Sequence, residues 1–134
     1  MAGISDSAAN LMLDWLTVTG TPTRPTAFAL ALYTVNPNFA TGAGGTEATG
    51  GSYARQAMTM DAGNGRVTAN ATAYAFTVGT NVAAGTYTGF GVYSITSGGV
   101  FLGGADFAVD RVLSATGDKI NFAIGAIDVT LPNA

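Results

Sequence analysis

From Pro25 onward this chain keeps no helical period, and that change of rhythm constrains its fold more than any other feature. Ahead of it, Ile4, Ala8, Leu11, Met12 and Trp15 recur at three- and four-residue steps, which places them on one face of a helix. Ser5 can cap the start, and Asp6 in the first turn suits the helix dipole. Gly20, Pro22 and Pro25 forbid continuation. One helix near residues 5–16 is predicted. Its Leu11/Trp15 stripe must dock on something, either its own domain or a neighbour.

After Pro25 the period is two. Phe28, Leu30 and Leu32 alternate with Ala27, Ala29 and Ala31, giving a strand with one bulky and one small-residue face. Further strands read near Tyr53–Met60, Arg66–Ala69, Ala71–Val78, Tyr87–Ile95, Val100–Phe107 and Asp106–Leu113. Thr72, Tyr74, Phe76 and Val78 share one face, and Phe90 and Val92 oppose Tyr87, Gly89, Gly91 and Tyr93. Turn chemistry stands at Asp61–Gly65, Ser97–Gly99 and Ala115–Asp118. In the last strand Ile120, Phe122 and Ile124 keep one parity while Ile127, Val129 and Leu131 keep the other. A one-residue phase change at Gly125–Ala126 is what a bulge or a crossing between two sheets requires.

About eight short strands at this turn spacing predict an all-β fold. It is an antiparallel β-sandwich, jelly-roll-like or barrel, with one short N-terminal helix. Residues 1–20 form the helical segment and 21–134 a single sandwich domain. The helix then looks detachable, so that removing Met1–Asn10 leaves the sandwich folded. Residues 36–52 form a glycine-rich loop of about 17 residues, long enough that a functional or mobile role is expected.

Composition narrows the function. Only 10% of residues are charged, against about 25% in a typical soluble domain. Thr, Ala and Gly hold the places of Lys and Glu, and near-neutral surfaces tend to associate. The five basic residues are scattered, none within five positions of another. A phosphate backbone therefore finds no basic stripe, and nucleic-acid binding is not expected. No apolar run reaches a membrane span, and the first residues lack the positive region of a secretory signal, so no membrane partner is expected. With neither His nor Cys, the commonest general base, the thiol nucleophile and the usual zinc ligands are missing. Glu47 is the single glutamate. Asp106 and Asp110 read as a solvated strand face or a pairing with Arg111, and Asp61–Gly65 lacks the alternating acids of a calcium loop. Neither an enzyme nor a cofactor is expected. Tyr53, Tyr74, Tyr87 and Tyr93 suit a core edge or interface more than a carbohydrate platform.

The run Phe28–Thr34, then Gly45-Thr46-Glu47 and Gly50-Gly51-Ser52-Tyr53-Ala54-Arg55-Gln56, resembles a family of small bacteriophage virion proteins. The ending Gly117–Phe122 and Gly125–Leu131 is similar as well. The resemblance implies a structural protein of the virion, described variously as tail fibre, head decoration or minor structural protein. Two readings follow from it. One is a capsid decoration (cement) or head-fibre-base protein on the capsid surface, contacting the major capsid protein or other virion proteins, as a homo-oligomer and a trimer by preference. The other is a tail-associated fibre or receptor-binding module holding a host glycan. Interface residues are expected at Ile4, Leu11, Trp15, Phe39, Glu47, Tyr53 and Arg55. Glu47 and Arg55 bracket the glycine bend, so an ion pair between them would close that loop onto the following strand.

Overall fold

A computed structural model describes residues 3–17, 25–65 and 67–130. The predicted stop at Gly20–Pro22, the 20/21 boundary, Arg66 and Leu131 lie outside them. The chain forms an all-β, sandwich-like fold with one short helix. Among the described residues the strands are β1 (Gly3–Ile4), β2 (Phe28–Val35), β3 (Thr46–Glu47), β4 (Gln56–Met58), β5 (Val67–Ala69), β6 (Tyr74–Thr77), β7 (Gly85–Tyr93), β8 (Phe101–Leu113), β9 (Lys119–Phe122) and β10 (Asp128–Thr130), two of them, β1 and β3, only two residues long. Helix α1 spans Asp6–Thr17.

The main sheet has the order β1-β8-β7-β2-β3, with β4 also on β2, and two small sheets pair β6 with β9 and β5 with β10. Every ladder is antiparallel. The core lies between the layers. Leu30, Leu32, Phe90 and Val92 project from the main sheet onto Phe76, Ile120 and Phe122 of the β6–β9 pair. Aromatic rings run through it in contact, from Tyr53 to Phe76 to Phe122 to Phe90, with centroids 5.4–6.5 Å apart. Fully burying a side chain such as Phe76 contributes roughly 2–3 kcal/mol.

The opposite face of the main sheet is covered too, which explains its glycines. Ala29, Ala31 and Tyr33 on β2 are buried on that side. On β7 and β8, a Cβ at Gly91 would strike the rings of Tyr33 and Phe101, and one at Gly104 would strike the Phe90 carbonyl first and then the Phe39 ring. Small residues in the strands are thus seats for rings that lie over them, two of these from the strands and one from the 36–45 loop. The first part of the 36–52 loop, for which a functional or mobile role is expected, is a packed cover, its own turn built on the Asn38 side chain and backbone.

The phase change at Gly125–Ala126 is a crossing between sheets. β9 ends at Phe122 on β6, and β10 resumes on β5, with Gly125 at φ 74° between them. Ile124, expected beside Ile120 and Phe122, is instead exposed in this turn. Asn70, fully buried, pins the crossing. Its amide nitrogen donates to the carbonyls of Thr72 and Ala123, and its Oδ1 accepts from the Ile127 N–H at 2.8 Å. A second irregularity was not expected. Register shifts between Tyr87 and Gly89, leaving residues 107–110 of β8 opposite Thr88 alone. Parity changes there, so Tyr87 joins the core cluster with Phe90 instead of facing away from it.

The N-terminal segment is part of the sheet. β1 pairs with Gly103 and Gly104 of β8. Ser5, fully buried, caps α1 by accepting the Ala8 N–H on its Oγ at 3.2 Å while donating that hydroxyl to the Phe101 carbonyl at 2.6 Å. The Asp6 N–H reaches the Ala40 carbonyl. Residues 3–10 thus supply a strand of the sheet, the cap of α1 and a tie to the 36–45 loop, all of which a deletion of Met1–Asn10 would remove.

Candidate interaction surface

The seven residues expected at an interface fall into two groups at opposite edges of the main sheet. Ile4, Leu11 and Trp15 belong to the β1/α1 edge, and Glu47, Tyr53 and Arg55 to the β3/β4 edge. Four strand spacings separate β1 from β3, about 19 Å. Phe39 stands nearer the first group, on Gly104, in the loop that accepts the Asp6 N–H.

At the second edge the chain makes one interrupted strand. β3 pairs with Tyr33 and Val35 of β2, and β4 resumes against Phe28–Leu30. Residues 48–55 leave the sheet between them, so the intervening edge of β2 needs other partners. Leu32 finds them: its carbonyl accepts the Ala48 N–H and its N–H donates to the Tyr53 hydroxyl at 3.1 Å. Tyr53 thus replaces a missing strand residue with a side chain. The same hydroxyl donates to Glu47 Oε1 at 2.8 Å.

The excursion is closed at its base by the ion pair expected between Glu47 and Arg55. Arg55 binds the carboxylate in a fork, Nε to Oε1 at 2.9 Å and Nη2 to Oε2 at 2.8 Å. Its Nη1 donates to the Gly98 carbonyl in the β7–β8 hairpin, and its guanidinium lies 3.4 Å above the centre of the Tyr93 ring. Only 13% of the Arg55 side chain is exposed. The Glu47 hydrogen bonds raise the Arg55 pKa above its ordinary value. Tyr93 in turn shares a short hydrogen bond with Tyr33. Burial foremost, then that bond, pushes the Tyr33 hydroxyl well above the usual phenol range, and burial does the same for Tyr53.

The glycines of this string are equally committed. A Cβ at Gly45 would meet the Pro37 backbone at 2.6 Å, and one at Gly51 the Ala83 backbone at 2.5 Å. Gly50, Gly51 and Ser52 all hold positive φ, in a turn closed by the Tyr53 N–H on the Gly50 carbonyl. The string is a structural clamp. Tyr33, Tyr53 and Tyr87 are turned inward, and Asp106 and Asp110 do not pair with Arg111, which stacks near Phe107. Among the described residues, Glu47–Arg55 is the one salt bridge, and no three acidic side chains gather as metal ligands would.

The first edge is different in kind. Ile4 and Leu11 are half-buried and line an apolar cavity of about 630 Å3 between α1, the main sheet and the β5–β10 pair. Met12, Phe28, Val92 and Val129 also line it, and Asp61 and Thr68 are among its polar lining residues. Trp15, one turn beyond Leu11, is 58% exposed. Its neighbours Leu13 and Leu16 are more than half exposed as well. The Leu11/Trp15 stripe therefore docks on its own domain only through its first half. Sequence reasoning missed Asn70 and the strand-replacing role of Tyr53. A lone Asn between two short strands is the one signal that pointed to the former.

No curated protein matches the chain. Residues 3–130 match the family model described as podophage GP4 fiber I protein gp80. With nearly its whole length matched, the chain belongs to that family, and it is a fibre-related structural protein of a bacteriophage virion.

Proposed function

We propose that the chain is a fibre-base subunit seated on the capsid shell, where it acts by contact with the major capsid protein or a neighbouring virion protein and transforms no substrate. One observation carries this reading. The most distinctive string in the sequence spends its charges, hydroxyl and glycines on holding its own edge of the sheet together. A glycan-binding module would present a platform of aromatic faces to solvent, whereas Tyr33, Tyr53 and Tyr87 give theirs to the interior and Trp15 stands as the single largely exposed aromatic side chain among the described residues. A surface poor in charge suits repeated contacts between proteins. The test is to locate the chain on intact particles by cryo-electron microscopy and to count its copies. Density on the shell at the foot of a fibre, in many copies, is expected. A few copies at the tail tip, with soluble protein blocking adsorption to host cells, would establish the receptor-binding reading in its place.

A further inference from the structure

We infer that Asn64–Gly65 is a site of spontaneous modification, at which the Asn64 amide is lost and the turn before β5 gains a main-chain atom. Both residues stand in the exposed stretch 61–65. The turn closes through Asn64 and Val67, the Asn64 N–H donating to the Val67 carbonyl at 2.8 Å and the Val67 N–H to the Asn64 carbonyl at 3.2 Å. The Gly65 N–H takes part in neither bond. Gly65 has no side chain to shield that nitrogen, and the space where a Cβ would stand is open. The Gly65 nitrogen attacks Asn64 Cγ and closes a succinimide ring. The bond from Cγ to Nδ2 breaks, and ammonia leaves with the proton of the Gly65 N–H. Water then opens the ring. Breaking the new bond from nitrogen to Cγ gives aspartate, and breaking the bond from nitrogen to the main-chain carbonyl carbon gives isoaspartate. Either way one amide and one water become one acid and one ammonia.

The other described asparagines are all held back. Asn36 precedes Pro37, whose nitrogen has no proton to give. Asn38, Asn70 and Asn81 have their side chains bonded to backbone, Asn70 while fully buried. Asn10 lies inside α1, where the next N–H belongs to the helix ladder. Asn121 precedes the buried Phe122, which pairs with Tyr74. Asn64 is the one that is exposed, sits in a turn and is followed by glycine. A residue paired through both its N–H and its carbonyl is held extended, so ring closure follows an opening of the turn. Opening is easy there, because β5 has only three residues and Val67 is 38% exposed. In the isoaspartyl product the chain runs through Cγ, and the carbonyl that accepted the Val67 N–H becomes a free carboxylate. That loosens the entry to β5 and thus its pairing with β10. A subunit built into a virion is not replaced, so the change accumulates with the age of the particle. This inference goes beyond the fibre-base reading and does not depend on where in the virion the chain sits.

Incubation of the full folded chain in mildly alkaline buffer, with peptide mapping by mass spectrometry, tests it. The peptide holding Asn64 should gain the mass of an amide-to-acid conversion ahead of those holding the other described asparagines, and faster as pH rises, because the attacking nitrogen must lose its proton. Labelling by an isoaspartyl methyltransferase should mark the same peptide. Isoelectric focusing should show one added negative charge. Asn64→Ser should abolish all three signals, and should serine disturb the turn, Asn64→Gln keeps the amide on a longer arm whose larger ring closes far more slowly. In converted protein, hydrogen exchange across Val67–Ala69 should quicken about fivefold, the effect of losing roughly one hydrogen bond. A urea-unfolded sample sets the time scale. An Asn64 amide that survives in the folded chain for the interval that converts it in urea would overturn the inference. So would earlier conversion of another described asparagine, conversion without methyl labelling, or unchanged exchange in the converted chain. Because the readout is the chemistry of the purified chain, its failure is separate from a failure to find the chain at a fibre foot.

Discussion

The two edges of the main sheet handle the same shortage of charge in opposite ways. At the β3/β4 edge one ion pair, one tyrosine and two glycines seated on neighbouring backbone answer each other within the chain. At the β1/α1 edge the first half of the helix is tied down through Ser5 and Asp6, and the second half carries its largest apolar side chains into solvent. The comparison teaches that the more motif-like region is the self-sufficient one. A string of unusual residues marks where the backbone is hardest to hold, while the plainer sequence of α1 holds the unmet surface.

Substitutions separate the two edges by the size of their effect on unfolding in urea. Gly51→Ala should cost most, about 3 kcal/mol or more, because it sets a Cβ against the Ala83 backbone at positive φ. Glu47→Ala should cost about 2–3 kcal/mol, since Arg55 would stay largely buried without its carboxylate. Tyr53→Phe keeps the ring against Phe76 but leaves the Leu32 N–H without its acceptor, for about 1–2 kcal/mol. The same hydroxyls give the clamp a pH limit. The folded pKa values of Tyr33 and Tyr53 are raised, so their contribution is complete below the free phenol value of 10.0 and is lost as pH climbs beyond it. Near-ultraviolet absorbance should show their phenolates forming only together with alkaline unfolding, and early titration of all five tyrosines would refute the burial argument. At the other edge Leu16→Ser should change monomer stability by no more than about 0.5 kcal/mol. A large loss there would mean that the helix is held by contacts its exposure does not reveal.

Much of the fold was legible in the sequence because it follows from period and parity. The Ser5 cap, the alternating core of β2 and the crossing at Gly125–Ala126 each rest on neighbours a few residues apart. Glu47–Arg55 was legible for another reason: with so few charges in the chain, two that flank a glycine bend have few other partners. What escaped depends on distant segments. The glycines of β7 and β8 read as weak strand positions until the rings of Tyr33, Phe39 and Phe101 are seen over them. Tyr87 was assigned to the wrong face because three extra residues of β8 shift the register beside it. The two residues of β1 carry too little pattern to be read as a strand at all.

That displaced stretch of β8 matters beyond its own register. The strand runs thirteen residues, and β1 covers only Gly103 and Gly104 of its outer side among the described residues. A straight ribbon of that length would be a template for sheet-to-sheet growth wherever copies crowd together. The kink at 107–110, with Asp106, Asp110 and Arg111 in its exposed half, spoils the match. Growth of one sheet onto another along this edge is thereby disfavoured.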